Sequence, residues 1–219
     1  MSYFPLMVEV KSREILVIGG GKIAFHKIKI LLSFGAIIRV VSEEFCAELK
    51  ALADINDKNL TMVKKSFDEK DIDNCEDICF VIAATDNEKL QSIVSELCRI
   101  KKIPVNVVDK KEKSSFYFPA VIKRDELVVA VSTGGNSPVA AGFIKREIDK
   151  KLPRCYGKLV SNLGKYRDVA LLKIDSYDKR KQFFLELIMY GAEHNGDVPD
   201  DIVEEKLLQY QTDIGCGSR

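Results

Sequence analysis

The sequence predicts an α/β chain: a Rossmann-type parallel sheet with helices on both faces, then a β-hairpin and helix, then a small helical domain. Three observations carry this. Residues 14–42, EILVIGGGKIAFHKIKILLSFGAIIRVVS, read as strand, glycine turn, helix and strand. Apolar strand-like runs and helical runs then alternate as far as Val108, the mark of a parallel sheet. Past Pro138 only helical periodicity remains.

The first strand runs from Ile15 to Ile18 and enters the turn Gly19-Gly20-Gly21. A helix follows with Ile23, Lys27, Ile30 and Leu31 spaced by three and four, and Gly35 closes it before the β-branched run Ile37 to Val41. Gly19 suits the tight turn out of the strand. Gly21, with no Cβ, lets a pyrophosphate approach the backbone. Ala24 stands in the third glycine's place and still allows close helix–strand packing. The helix start, at Lys22 and Ile23, points free N–H groups and a positive dipole end at the phosphates. The strand before the turn and the helix after it are the context the motif requires; the rival reading is a glycine turn that only packs strand on helix.

An acid about 20 residues beyond the glycines typically holds the adenosine ribose. Ser42, Glu43 and Glu44 stand there. A carboxylate would repel a 2′-phosphate, so NAD is expected rather than NADP, with Arg39 inside the strand as the one opposing sign. Alternatively, Glu43 and Glu44 are first-turn acids of a helix expected over Glu43 to Asp54.

Further strands are expected at Leu60 to Val63, Ile78 to Ala83 and Val105 to Val108, with a helix from about Glu88 to Ile100. Thr85 and Asp109 follow strands and should face the crevice at the sheet's carboxyl edge. Thr85 either contacts the nicotinamide ribose or caps the next helix, with Asp86 a competing cap. Asn106 either bonds the cofactor or satisfies a strand edge. Asp109 either takes part in proton transfer and substrate orientation or is a strand-end turn aspartate.

The strand-like runs Phe116 to Ile122 and Leu127 to Ser132, around the polar turn 123–126, predict a hairpin. Ser114, Ser115 and Phe116 open it and are expected to line a pocket. The loop Thr133-Gly134-Gly135-Asn136-Ser137 leads into a helix that starts at Pro138, with Ser137 as cap, and ends near Leu152. Helices are expected over 156–172, 177–190 and 202–210, with a frayed tail over 215–219. In the second of these, Phe183, Phe184, Leu187 and Ile188 form a stripe that reads as core. The expected domains are 1–113, 114–153 and 154–219.

With 46% hydrophobic and 31% charged residues among 219, the chain supports a real core. The net charge of +1 and the lack of a bilayer-length apolar run point to neither a nucleic-acid nor a membrane partner. Six cysteines without a CxxC pair, Cys75 and Cys79 included, read as reduced thiols of a cytoplasmic protein with no leader. His26 and His194 join no cluster with metal-ligand spacing, so no metal site is expected.

Taken in order, FPLMVEV, VIGGGKIAFHK, VIAATDNEKL, VNVVDKKEKSSFYFPAVI and VSTGGNSPVAAGFIKREIDKKLP resemble the precorrin-2 dehydrogenase family of siroheme biosynthesis. That family includes dual dehydrogenase/ferrochelatases and the N-terminal part of siroheme synthases. The resemblance covers about residues 3–153 and is to the stand-alone form, since no methyltransferase module follows. It implies NAD-dependent oxidation of precorrin-2 to sirohydrochlorin, in some members followed by insertion of ferrous iron, and a homodimer with exchanged elements. Carried over by motif, the family's key acid is Asp109, its T/S-G-G loop is Thr133, Gly134 and Gly135, and its dinucleotide contacts fall on Lys22, Ile23, Glu43 and Glu44. Ser114, Phe116 and Ser137 join the substrate side. Ser42-Glu43 replaces the family's frequent Ala-Pro pair, and His26 a common arginine. Lys110, Lys111, Lys113, Lys123 and Arg124 cluster where they would steer a substrate rich in carboxylates. A reading from another class is a nucleotide-sensing module without catalysis.

Overall fold

The computed structural model describes residues 3–73 and 77–211; Cys75 and the tail 215–219 lie outside the described residues. The chain divides into two compact units, one over Met1–Phe118 and Ser132–Ser137, the other over Pro119–Val131 and Pro138–Arg219.

The first unit is built on five parallel strands: β1 (Glu14–Ile18), β2 (Ile37–Ser42), β3 (Leu60–Lys64), β4 (Ile78–Ala83) and β5 (Val105–Val107), in the order β3-β2-β1-β4-β5. The order reverses direction between β1 and β4, which creates the crevice at their carboxyl ends. β4 is buried at every position and β1 at all but its first, as strands covered on both faces must be. Alternate residues feed two cores. Ile15, Val17, Phe80 and Ile82 meet Ala24, Ile28 and Leu31 of α1 (Lys22–Leu32) on one face. Leu16, Ile18, Val81 and Ala83 meet Val94 and Cys98 of α4 (Glu88–Lys101) on the other.

Several expectations change. The buried stripe of α1 is Ala24, Ile28 and Leu31, while Ile23 is exposed. The helix expected over Glu43 to Asp54 is α2 (Ala47–Asp54), which starts later because residues 43–46 pack on the glycine turn: the Cys46 N–H donates to the Gly20 carbonyl at 2.8 Å. A short α3 (Lys70–Asp73) was not expected. α4 is capped by Asn87, whose side chain accepts from the Lys89 and Leu90 N–H groups, rather than by Thr85 or Asp86. Outside these changes, residues 3–10 run as an extended arm that exposes Phe4, Leu6, Met7 and Val8.

β5 is an edge strand closed by serines. The Val107 N–H donates to Ser114 Oγ at 2.9 Å and the Val105 N–H to Ser115 Oγ at 2.8 Å, while the Ser115 N–H returns to the Val105 carbonyl. These bonds satisfy the edge without a further strand. Phe116 then turns inward onto Phe80, with ring centroids 5.1 Å apart, so residues 116–119 are not strand.

The second unit holds the antiparallel pair β6 (Ala120–Arg124) and β7 (Leu127–Val131), joined by Asp125-Glu126 with Asp125 at φ 50°. α5 (Pro138–Lys151) and α6 (Tyr156–Lys165) pack on it. Arg124 closes the end of α5, donating to the Asp149 carboxylate at 2.7 Å and to the Leu152 carbonyl. The run expected as one helix over 156–172 breaks at Tyr166 into α6 and α7 (Arg167–Lys173). α8 (Tyr177–Glu193) and α9 (Asp200–Tyr210) complete a helical core around Phe183 and Leu187, with Phe184 against it and Ile188 at the surface. No helix among the described residues is long and apolar enough to cross a membrane.

Candidate active site

The glycine turn is fixed by close packing on two sides and open on the third. Gly19 has φ 110°, and a Cβ there would lie 2.1 Å from the Ala84 carbonyl oxygen. A Cβ on Gly20 would lie 2.2 Å from the Glu44 carbonyl oxygen, whereas one on Gly21 would meet nothing within 4 Å. α1 starts here with no side-chain cap and no acid in its first turn. Its first N–H groups therefore face open space at the positive end of the helix dipole. Lys22 and Ile23 are exposed beside that opening and Ala24 is buried against the strand. These residues fit a dinucleotide pyrophosphate: an uncapped helix start, room at Gly21, and no acid in the helix's own first turn.

The end of β2 borders the same turn. Ser42 donates through Oγ to the Glu44 carbonyl at 2.7 Å, which curls the segment over Gly20. The Glu43 carboxylate accepts from the Ser66 hydroxyl, and the Glu44 side chain is exposed. Neither is a first-turn acid of α2; that place belongs to Glu48. Arg39 is committed elsewhere, to Glu14 at 2.8 Å and the Asp71 carbonyl at 2.7 Å.

The ends of β4 and β5 form the other wall. Gln91, buried on α4, donates to the Thr85 carbonyl at 2.7 Å and reaches the Val108 carbonyl at 3.4 Å. It ties the two strand-end loops together. The Thr85 hydroxyl accepts from the Asn87 N–H at 3.3 Å. Asp109 follows with φ 59°, in the left-handed region that Asp and Asn enter most readily among residues with a Cβ. Its side chain is exposed, and its carboxylate accepts no hydrogen bond among the described residues.

On β5, before Asp109 in the chain, lies a polar group set into apolar surroundings. Asn106 is buried on β5 and donates to the Phe116 carbonyl at 3.1 Å. Its Oδ1 accepts from Lys27 Nζ at 3.1 Å, and that ammonium lies 4.3 Å from the centre of the Phe118 ring. Burial pushes Lys27 down to about 8, against the opposing pull of the Asp109 carboxylate.

The remaining expected residues divide by what their polar atoms do. Ser114 spends its hydroxyl on β5 and Phe116 packs in the core. Thr133 Oγ1 donates to the Ser137 carbonyl at 2.9 Å and accepts the Ser137 N–H at 3.1 Å, which closes the loop over Gly134 and Gly135. Lys111 reaches Asn136 of that loop at 3.2 Å, which ties the loop to the segment after β5. Lys110 pairs with Glu88 at 2.6 Å and Lys113 donates to Ser92 at 2.8 Å. No three His, Cys, Asp or Glu side chains among the described residues gather to hold a metal ion. The sequence reading gave Lys27 and Gln91 no role. Gln91 had a signal, because it falls in phase with the buried residues Val94 and Cys98.

Residues 6–120 match the model of a family described as NAD(P)-binding. A siroheme synthase of Baumannia cicadellinicola subsp. Homalodisca coagulata is 33% identical over 221 residues, covering 98% of this chain and 46% of that protein. The siroheme synthase of Thioalkalivibrio sulfidiphilus is 38% identical over 215 residues, covering 94% and 42%. The chain thus spans less than half the length of these curated relatives. Among solved structures, SirC, a precorrin-2 dehydrogenase, matches with a TM-score of 0.74 and 25% identity, covering 95% of this chain and 98% of that one. The expected cofactor, NAD, agrees with the family and with the open glycine turn. Matched over more than half its length, the chain belongs to this NAD(P)-binding family, and over nearly all of it is a relative of siroheme synthases.

Proposed function

We propose that the protein is an NAD-dependent precorrin-2 dehydrogenase that forms sirohydrochlorin in siroheme biosynthesis. The observation that carries this is the glycine turn, open at Gly21, in a chain that matches a precorrin-2 dehydrogenase over 98% of that protein's length. The relatives named above are enzymes, which favours catalysis over nucleotide sensing.

In this reading Gly19, Gly20 and Gly21 with the start of α1 hold the pyrophosphate, and Glu43 or Glu44 holds the adenosine ribose. Thr85 and Asn106 stand toward the nicotinamide end. The bound nicotinamide supplies the hydride acceptor. Asp109, exposed and without a hydrogen bond among the described residues, takes or holds the proton released with the hydride. The loop Thr133 to Ser137, Ser114 and Phe116 shape the substrate side. Ferrous iron is a second substrate of the same site: metal insertion displaces two pyrrole protons, of which the Asp109 carboxylate can accept one while the other passes to water. The protein works as a homodimer in the cytoplasm, the latter supported by free thiols at Cys46, Cys79, Cys98 and Cys155.

The test is an anaerobic spectrum of precorrin-2 with the protein and NAD, or NADP, with and without ferrous iron. Conversion to sirohydrochlorin with the higher kcat/KM for NAD is expected. No conversion with either cofactor overturns the assignment. Equal or better use of NADP shows that neither Glu43 nor Glu44 faces the ribose.

A further inference from the structure

We propose that Lys27 is a positioning residue for Asp109: an amine anchored on Asn106 and Phe118 that supplies the cation opposite the catalytic carboxylate. The inference rests on the role given to Asp109 above.

Four features lead to it. Lys27 Nζ donates to Asn106 Oδ1 at 3.1 Å, and Asn106 in turn donates its amide N–H to the Phe116 carbonyl at 3.1 Å. That second bond fixes which way the amide faces, so the lysine meets an oriented acceptor. The ammonium lies over the Phe118 ring at 4.3 Å, a cation–π contact that strengthens when water is excluded. Asp109 acts electrostatically on both Lys27 and Lys110, but Lys110 is held by Glu88 at 2.6 Å. Lys27 makes no ion pair within 4.0 Å among the described residues; held on Asn106, three residues before Asp109 in the chain, it is left as the cation on which the Asp109 carboxylate acts across a longer gap.

The groups around it are accounted for. On α1, Lys22 and His26 act on Glu48 of α2. β5 contributes the neutral Asn106. The segment 116–118 contributes Phe116, Phe118 and Tyr117, which pairs with Tyr3. The loop after β5 contributes Asp109 and the paired Lys110. Burial pushes Lys27 down to about 8, so its charge is lost within the range of an ordinary assay. A lowered cation of this kind carries a definite sign. The unfolded lysine titrates near 10.4, so between about 8 and that value the unfolded chain binds more protons. Stability from this group is full above the unfolded value and is lost as pH falls through the folded one.

The experiment has an arm that needs no substrate. In protein labelled with 13C at lysine Cε, the Lys27 resonance, assigned through Lys27→Arg, should titrate near 8. It should move lower in Asp109→Asn, which removes the carboxylate that holds the ammonium on. An ordinary lysine titration, or no response to Asp109→Asn, overturns the proposal whether or not the protein oxidises precorrin-2. In the activity arm, wild-type kcat/KM should fall above about pH 8. Lys27→Met should lower it about a hundredfold, the scale of a misplaced reacting group, and abolish that alkaline limb. Lys27→Arg, charged at every assay pH, should restore most of the rate without the limb. Lys27→Met should bind NAD normally and melt no lower than wild type at pH 7, since it removes a buried charge. A wild-type rate and pH profile in Lys27→Met sinks the inference. Failure of the wild-type protein to act on precorrin-2 sinks the functional reading instead.

Discussion

Asp109 occupies a backbone conformation, φ 59°, that most side chains resist and that Asn tolerates as well as Asp. Asp109→Asn therefore removes the charge and the proton acceptor without adding strain. Precorrin-2 oxidation should fall by about 10²–10⁴-fold with NAD affinity unchanged, and the melting temperature at pH 7 should be no higher than wild type, since the carboxylate that favours the Lys27 charge is gone. A near-wild-type rate would make the residue a turn aspartate and leave catalysis to substrate positioning. The position of Asp109 was legible in the sequence because a strand end in a parallel sheet has a known place. The role of Lys27 was not. Burial lowers its basicity, the groups it meets, Asn106 and Phe118, lie far along the chain, and the spacing within α1 marks it only as one residue in a helical pattern. The structural bond of Ser114 was not legible either: the sequence marks it as the opening of a hairpin, and only the fold shows that its hydroxyl accepts the Val107 N–H at the edge of β5.

At the scale of elements, the glycine turn separates folding from binding. Gly19→Ala would put a methyl group 2.1 Å from a backbone oxygen at φ 110°, and the carbonyl has nowhere to retreat because the Ala84 N–H is bonded to the Ile18 carbonyl at 2.7 Å. A loss of roughly 1–3 kcal/mol in urea unfolding is expected. Gly21→Asp meets open space, so it should unfold at nearly the wild-type midpoint yet bind NAD far more weakly, its carboxylate facing the pyrophosphate. Equal NAD affinity in Gly21→Asp would remove the turn from the cofactor site. Strands and long helices were readable here because apolar runs and stripes are local signals. The boundaries that moved were set by tertiary contacts. α2 starts late because Phe45 and Glu44 cover Gly20, and Phe116 leaves the hairpin because Phe80 holds it in the core.

At the scale of the whole molecule, the second unit carries apolar surface that a single copy leaves uncovered. β6 and β7 make a two-stranded sheet among the described residues, so each strand keeps one edge without a ladder partner. Isolated pairs of this kind are marginal in water, and open edges invite another chain. On α5, Val139 and Phe143 stand one turn apart at 80% and 56% exposure, with Ile144 beside them. An exposed apolar stripe next to an open sheet fits a second copy of the same chain, since a two-fold interface needs one self-complementary patch. Light scattering at micromolar concentration should give the dimer mass. Phe143→Glu places a charge in the middle of the stripe while leaving the buried Ala141 side of α5 untouched, so it should shift the mass toward monomer with helix content intact. A wild-type monomer under these conditions overturns the homodimer. A Phe143→Glu dimer moves the interface off α5, because a buried charge without a partner costs more than such a contact returns.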